Sequence, residues 1–215
     1  MRILICMLFL LLTFLSSALA NPEIHINIPA YQLQLVDHDK VVREYNVAVG
    51  TPYEQTPTGS FQVFYKEQFP TWIPGSNFSD HTPVAPGPDN PLGTRWMEFK
   101  TNYGIHGTNK GWDINYPVSG GCIRMQDADV RQLYELVDIG TPVIITYETM
   151  FVIEKPDGLY LKLLPDIYNR ATNSYARLQQ LYQPYAVKYP VFKNPQSFTL
   201  PVETATEVKI AMPAK

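Results

Sequence analysis

The chain has 215 residues, with 17 Lys and Arg against 20 Asp and Glu, for a formal net charge of −3. No basic run or stripe is present to track a phosphate backbone, which argues against nucleic acid as a partner. The length suits one domain of ordinary size with a real hydrophobic core and an appendage, not two large independent domains.

Residues 1–20 read as a secretory signal peptide. Met1-Arg2 precedes an apolar stretch from Ile3 to Leu15, and Ser16-Ser17-Ala18-Leu19-Ala20 supplies an A-x-A ending. The apolar core is short for a bilayer span of about 20 residues, so cleavage after Ala20 is expected, with no stable membrane span afterwards. Cys6 lies inside the apolar core and not at the cleavage point, which excludes a lipoprotein. The expected location is the periplasm, or alternatively the medium or cell wall. Losing Cys6 leaves Cys122 alone in an oxidising compartment, where it is either a buried inert thiol or a reactive one.

Alternation of apolar and polar residues predicts strands at Ile24–Ile28, Tyr31–Val36 and Val41–Val49, forming an antiparallel meander. Thr56-Pro57-Thr58-Gly59 reads as a turn before a strand over Phe61–Tyr65. Six prolines between Phe69 and Gly93 exclude regular helix and most ladder pairing, so this is a long loop, and its Trp72, Ile73 and Phe78 suit a lid or substrate wall. Strands resume at Trp96–Lys100 and at Tyr103–Gly107. Asp127 is placed to cap a helix carrying Val130, Leu133, Tyr134 and Val137, with Gly140 at its end, and Pro142–Tyr147 reads as a buried strand. Beyond Glu148, Leu159–Leu164 suggests a hairpin strand, and Ile167, Ala171, Tyr175, Leu178 and Tyr182 one amphipathic helix. The proline-punctuated tail from Pro184 is expected to be loosely ordered. The expected organisation is signal peptide 1–20, one main domain over 21–148 and a C-terminal extension over 149–215.

Two glycine-flanked segments carry the chemistry: Ile105-His106-Gly107-Thr108-Asn109 and Ser119-Gly120-Gly121-Cys122-Ile123-Arg124-Met125. A cysteine is nucleophilic only as thiolate, and a nearby imidazole can take its proton and hold the resulting ion pair. Glycines leave the backbone uncovered, so the N–H groups of Gly121 and Cys122 are candidate oxyanion donors, and Gly107 leaves room for substrate beside the imidazole. Arg124 offers a planar fork to a substrate carboxylate. His25, His38 and His81 have no such surroundings. No metal-ligand spacing accompanies the Cys and His, so neither metal nor organic cofactor is expected. Asp127 and Asp129 are better explained by the start of the helix than as paired catalytic carboxylates.

These segments resemble the signature of the L,D-transpeptidase catalytic-domain (YkuD) family, a His-Gly followed by Ser-x-Gly-Cys-hydrophobic-Arg/Asn. Thr56–Phe61, Pro70–Pro74 and Gly87–Gly93 also look like family motifs in family order. The resemblance covers about Ile24 to Glu148. It implies a mainly β (α+β) fold, a mixed β-sandwich with one short helix after the cysteine and here a small C-terminal appendage. It also implies Cys122 as nucleophile, His106 as base, and a substrate site shaped by Arg124, Ser119, Gly107, Asn109 and Trp72. The implied reaction is attack on the diamino-acid carbonyl of a peptidoglycan tetrapeptide stem with loss of D-Ala. A neighbouring stem or an outer-membrane lipoprotein then accepts the acyl group as amine, and water gives hydrolysis instead.

One departure concerns Gly120, where many members carry a second histidine. His106 then needs another partner for its second ring nitrogen, such as a backbone carbonyl near Gly107. A sortase is disfavoured by the His–Cys spacing. A non-catalytic exported β-domain that binds cell wall, with Cys122 merely buried, is the alternative from a different class.

Overall fold

A computed structural model describes residues 21–75, 78–192 and 203–212; the signal segment 1–20 lies outside them. The strands, in chain order, are β1 (Pro22–Asn27), β2 (Gln32–Asp37), β3 (Lys40–Gly50), β4 (Gly59–Gln62), β5 (Tyr65–Gln68), β6 (Arg95–Lys100), β7 (Tyr103–His106), β8 (Pro117–Ser119) and β9 (Ile123–Met125). Helix α1 (Asp127–Leu136) and strand β10 (Pro142–Thr146) follow. These strands form one mixed sheet in the order β4-β10-β1-β2-β3-β9-β7-β6-β5, with β8 paired to the end of β3. The expected meander is present: β1 pairs antiparallel with β2, and β2 with β3.

Where one strand was expected over Phe61–Tyr65, the chain makes two. Val63 and Phe64 cross from one edge of the sheet to the other, with Val63 N–H on Thr141 O at 2.9 Å and Phe64 N–H on Glu98 O of β6 at 2.9 Å. The sheet therefore curls until its edges meet at this corner. Alternation fills the interior with one face of every strand: Ile24 and Ile26, Leu33 and Leu35, Val47 and Val49, Met97 and Phe99, Ile105, Ile123 and Met125, Val143 and Ile145. Val130 and Leu133 of α1 close the core. Only alternate residues of β10 are buried, so it is half-buried and not buried throughout.

Asp127 does not cap α1. Gln126 holds the N-cap position without a side-chain cap, and the Asp127 carboxylate instead accepts from Thr94 N–H at 2.8 Å and from its hydroxyl at 3.0 Å. Asp127 and Asp129 still lie in the first turn, where they favour the positive end of the helix. The helix ends before Gly140, whose positive φ of 98° turns the chain into β10. Ahead of β4, the bend falls at 52–54, and Thr56 is buried beyond it.

A second sheet comprises β11 (Met150–Lys155), β12 (Gly158–Leu163), β13 (Val191–Phe192) and β14 (Thr206–Met212), in the order β11-β12-β14-β13. It has its own core of Met150, Leu159, Leu161, Leu163, Leu178 and Ile210. Two expectations for this region are corrected. The second helix, α2, spans only Tyr175–Tyr182, because Asn169 and Ala171 have positive φ and break the earlier turns. The tail is not loose over Thr206–Met212: it threads between β12 and β13, and Ile210 and Ala211 are fully buried. Among the described residues no helix is long and apolar enough to cross a membrane.

Candidate active site

Strands β7 and β9 run parallel, with Ile105 opposite Ile123 and His106 opposite Arg124. The two isoleucines face the core, so alternation sends His106, Cys122 and Arg124 to the opposite face, together with Gly104. Antiparallel pairing of β6 with β7 adds Trp96 and Glu98 to that face. The Trp96 ring stacks on the His106 imidazole at 5.6 Å between centroids. It also lies over Gly104, where a Cβ would come within 2.6 Å of the indole, so only glycine fits there. Cys122 and His106 are thus diagonal neighbours on one sheet face, His106 at the end of β7 and Cys122 just before β9. No hydrogen bond joins them at rest among the described contacts. The Cys122 thiol instead makes a long contact of 3.7 Å with Asn102 O. Resting sites of this kind often tighten only when substrate binds.

His106 is 4% exposed, and its Nδ1 lies 2.6 Å from Gly107 O. A carbonyl oxygen only accepts, so Nδ1 carries the proton and Nε2 is the free base. This is the backbone partner that the missing second histidine required. Burial, with Arg124 nearby, depresses the imidazole to about 4, against the pull of the Gly107 and Leu92 carbonyls. Burial pushes the Cys122 thiol up, and Glu98 adds to it, opposed by the Gly104 amide and Arg124. Both shifts favour the neutral thiol and the neutral imidazole. The ion pair expected from the sequence is disfavoured because the pocket penalises both charges.

Ser119, at the end of β8, organises the nucleophile turn. Its hydroxyl donates to Cys122 O at 2.6 Å and accepts from Gly121 N–H at 3.1 Å. Ser119 thus braces this turn from within. Of the two amides expected to receive an oxyanion, that of Gly121 is already engaged at rest. Gly121 has a φ of 106°, and a Cβ there would meet the Tyr103 ring at 2.5 Å. Gly120 differs: a Cβ would meet only the Glu54 carboxylate at 3.6 Å or more.

Arg124 is not a free fork. Its Nη1 donates to Asp113 Oδ2 at 2.7 Å, and Asp113, on the 3-10 turn Gly111–Asp113, is 2% exposed. Sequence reasoning passed over Asp113, and nothing in its neighbours marks it. Gly107 packs back to back with Gly93, and the Asp127 carboxylate lies 2.6 Å from where either glycine would carry a Cβ. Asn109 is exposed and, with Thr108, Phe69, Pro88 and Asp127, lines a cavity of about 260 Å³ that includes neither His106 nor Cys122. Trp72 is half-buried within its own loop, bridged to Val84 and edge-on to Phe78 at 5.1 Å. The loop is held by buried Asn90, whose amide donates to the carbonyls of Pro70, Val84 and Ala85. Trp72 is therefore part of a folded wall, with no contact to His106 or Cys122 recorded among the described residues.

The sequence profile of the L,D-transpeptidase catalytic domain (YkuD) matches residues 21–145. The candidate L,D-transpeptidase YqjB of Bacillus subtilis is 32% identical over 161 residues, covering 68% of this chain and 86% of its own. ErfK/SrfK of Escherichia coli, another L,D-transpeptidase candidate, is 32% identical over 62% of this chain and 46% of its own. A solved LD transpeptidase, LdtMt1 in complex with imipenem, shares the fold at a TM-score of 0.50 and 19% identity, covering 58% of each chain. The chain thus spans less than two thirds of that solved protein.

The two glycines should respond differently to alanine. Gly121→Ala should cost roughly 2 kcal/mol or more of stability, since it combines backbone strain with a ring clash. Gly120→Ala should stay within about 1 kcal/mol of wild type, and urea denaturation of both variants checks this. The depressed value of His106 also has a pH consequence. As pH falls the unfolded chain binds the proton first, so this contribution to stability is whole above about 6.5 and lost between there and about 4. Urea midpoints should therefore drop more steeply over that window for wild type than for His106→Asn, by up to about 3 kcal/mol in all. Parallel curves would refute the assignment.

Proposed function

The chain belongs to the L,D-transpeptidase catalytic-domain family, and from that premise we propose that it is a cysteine acyltransferase acting on the peptide stems of peptidoglycan. The observation that carries this reading is the shared sheet face of Cys122 and His106, with the imidazole held by Gly107 O so that Nε2 is the base.

The starting state is neutral, so the thiol proton passes to His106 Nε2 as the sulfur attacks the carbonyl of the diamino acid in a tetrapeptide stem. Backbone N–H groups of the Ser119–Cys122 turn stabilise the developing oxyanion. The Gly121 amide does so by exchanging its bond to Ser119 Oγ for the substrate oxygen. Collapse breaks the peptide bond, the imidazolium returns its proton to the departing D-Ala amine, and Cys122 is left as a thioester. An amine then attacks the thioester, with His106 again taking the proton, and the thiol is regenerated. The acceptor in this reading is a neighbouring stem, giving a 3-3 cross-link, or a lysine of an outer-membrane lipoprotein. Water gives the tripeptide.

Asp113 holds Arg124 beside this centre, where its charge favours thiolate over imidazolium. The reading keeps 21–148 as catalytic domain and 149–215 as extension. It places the mature protein in the periplasm after loss of the leader at 1–20. Purified tetrapeptide fragments incubated with wild type should lose D-Ala, by mass spectrometry, at least about 10²-fold faster than with Cys122→Ala or His106→Ala. Dimers identify a stem as acceptor and tripeptide identifies water. Equal release by the Cys122→Ala variant would overturn the thiol mechanism.

A further inference from the structure

The stretch after β12 returns to the first sheet and grips it close to the nucleophile turn. Tyr168 is 6% exposed and belongs to the main core, not to that of the second sheet. Its hydroxyl donates to Gly50 O at 2.9 Å and accepts from Thr56 N–H at 3.2 Å. Both ends of the 50–56 loop are thus tied to one oxygen. Gly50 N–H closes the loop further on Thr56 Oγ1 at 2.9 Å. Arg170 Nη2 donates to Gln55 Oε1 at 2.7 Å and adds a third tie.

The gripped loop is a wall of the catalytic turn. Thr51 N–H donates to Ser119 O at 3.0 Å, and Gln55 O lies 3.2 Å from where a Gly121 Cβ would sit. β8 and β9 both pair with β3, with Gly50 opposite Ser119 and Ala48 opposite Arg124. The turn carrying Cys122 therefore hangs from the end of β3 at Gly50. The clamp is itself rigid. Tyr168 stacks on Tyr147 at 5.2 Å, and its N–H donates to Tyr147 OH at 2.7 Å. Tyr147 OH donates to Asp166 at 2.6 Å, and the Arg170 guanidinium covers the Tyr147 ring at 4.4 Å.

We propose that Tyr168 is a positioning residue for acyl transfer: its hydroxyl, with Arg170, fixes the 50–56 loop and through it the Ser119–Cys122 turn. The extension thereby contributes to a site whose reacting groups all lie within 21–145. The proposal rests on the acyl-transfer reading of Cys122. A loosened turn misaims the oxyanion donors and leaves the intrinsic reactivity of the thiol unchanged.

Two reactions separate these effects. Acylation of Cys122 by p-nitrophenyl acetate forms a thioester, expels nitrophenolate and needs the oxyanion donors. Alkylation by iodoacetamide displaces iodide at a saturated carbon and does not. Tyr168→Phe keeps the buried ring and removes only the hydroxyl. It should lower the acylation rate about tenfold, with the alkylation rate unchanged at every pH from about 6 to 10. Arg170→Met, which spares the core, should lower the same ratio about threefold, so a poorly folded Tyr168→Phe still leaves a test. Equal acylation of wild type and both variants, or acylation and alkylation falling together, overturns the proposal. If wild-type Cys122 is acylated no faster than Cys122→Ala protein, the acyl-transfer reading itself falls and takes the proposal with it.

Discussion

The parallel pairing of β7 with β9 is the constraint on which the site depends. Once Ile105 and Ile123 are opposite each other and buried, the strand period leaves His106 and Cys122 no choice but to share the other face. A slip of one residue in either strand would send His106 or Cys122 into the core in place of its isoleucine neighbour and separate the two. The glycines follow from this arrangement. Gly104 lets the indole of Trp96 cross to the imidazole, and Gly121 lets the chain turn under Tyr103. The core therefore places the chemistry, and the catalytic face inherits its register.

Burial has a second consequence, for charge. A pocket that keeps His106 almost fully covered penalises imidazolium, and the burial of partly exposed Cys122 pushes its thiol up as well. In the proposed reaction, proton transfer is then coupled to bond formation and not completed beforehand. The fixed Nδ1–H···O=C bond to Gly107 serves in place of a carboxylate or second histidine, holding the tautomer without adding charge. Arg124, pinned by buried Asp113, supplies a steady positive field on the cysteine side.

Much of this was legible from residue order. The meander, the strand that ends at His106 and the helix after the cysteine rest on local pattern over a short stretch, whereas the three-residue strands on either side of Cys122 are too short to show one. What escaped depends on partners that residue order does not name. Asp113 looks like any polar turn residue until Arg124 folds against it, and Asp127 reads as a cap until Thr94, 33 residues earlier, takes its carboxylate. The Gly121 amide was expected to be free because nothing in a run of small residues announces that Ser119 will claim it. Likewise, Thr206–Met212 alternates only over Glu207–Ile210 inside a proline-punctuated tail, and its place as a strand is set by pairing with β12 and β13. Periodicity reports which face a residue takes; the partner on that face is set by topology.

The central claim is that the resting catalytic pair is neutral. It is tested most directly by nitrogen- and carbon-detected NMR of the His106 imidazole in histidine-labelled protein, from about pH 3 to pH 9. The account predicts a neutral ring with the proton on Nδ1 down to about pH 5, a midpoint near 4, and the same spectrum above about pH 6 in Cys122→Ala. An imidazolium signature that persists at neutral pH in wild type and vanishes in Cys122→Ala would show a preformed thiolate–imidazolium pair and contradict it.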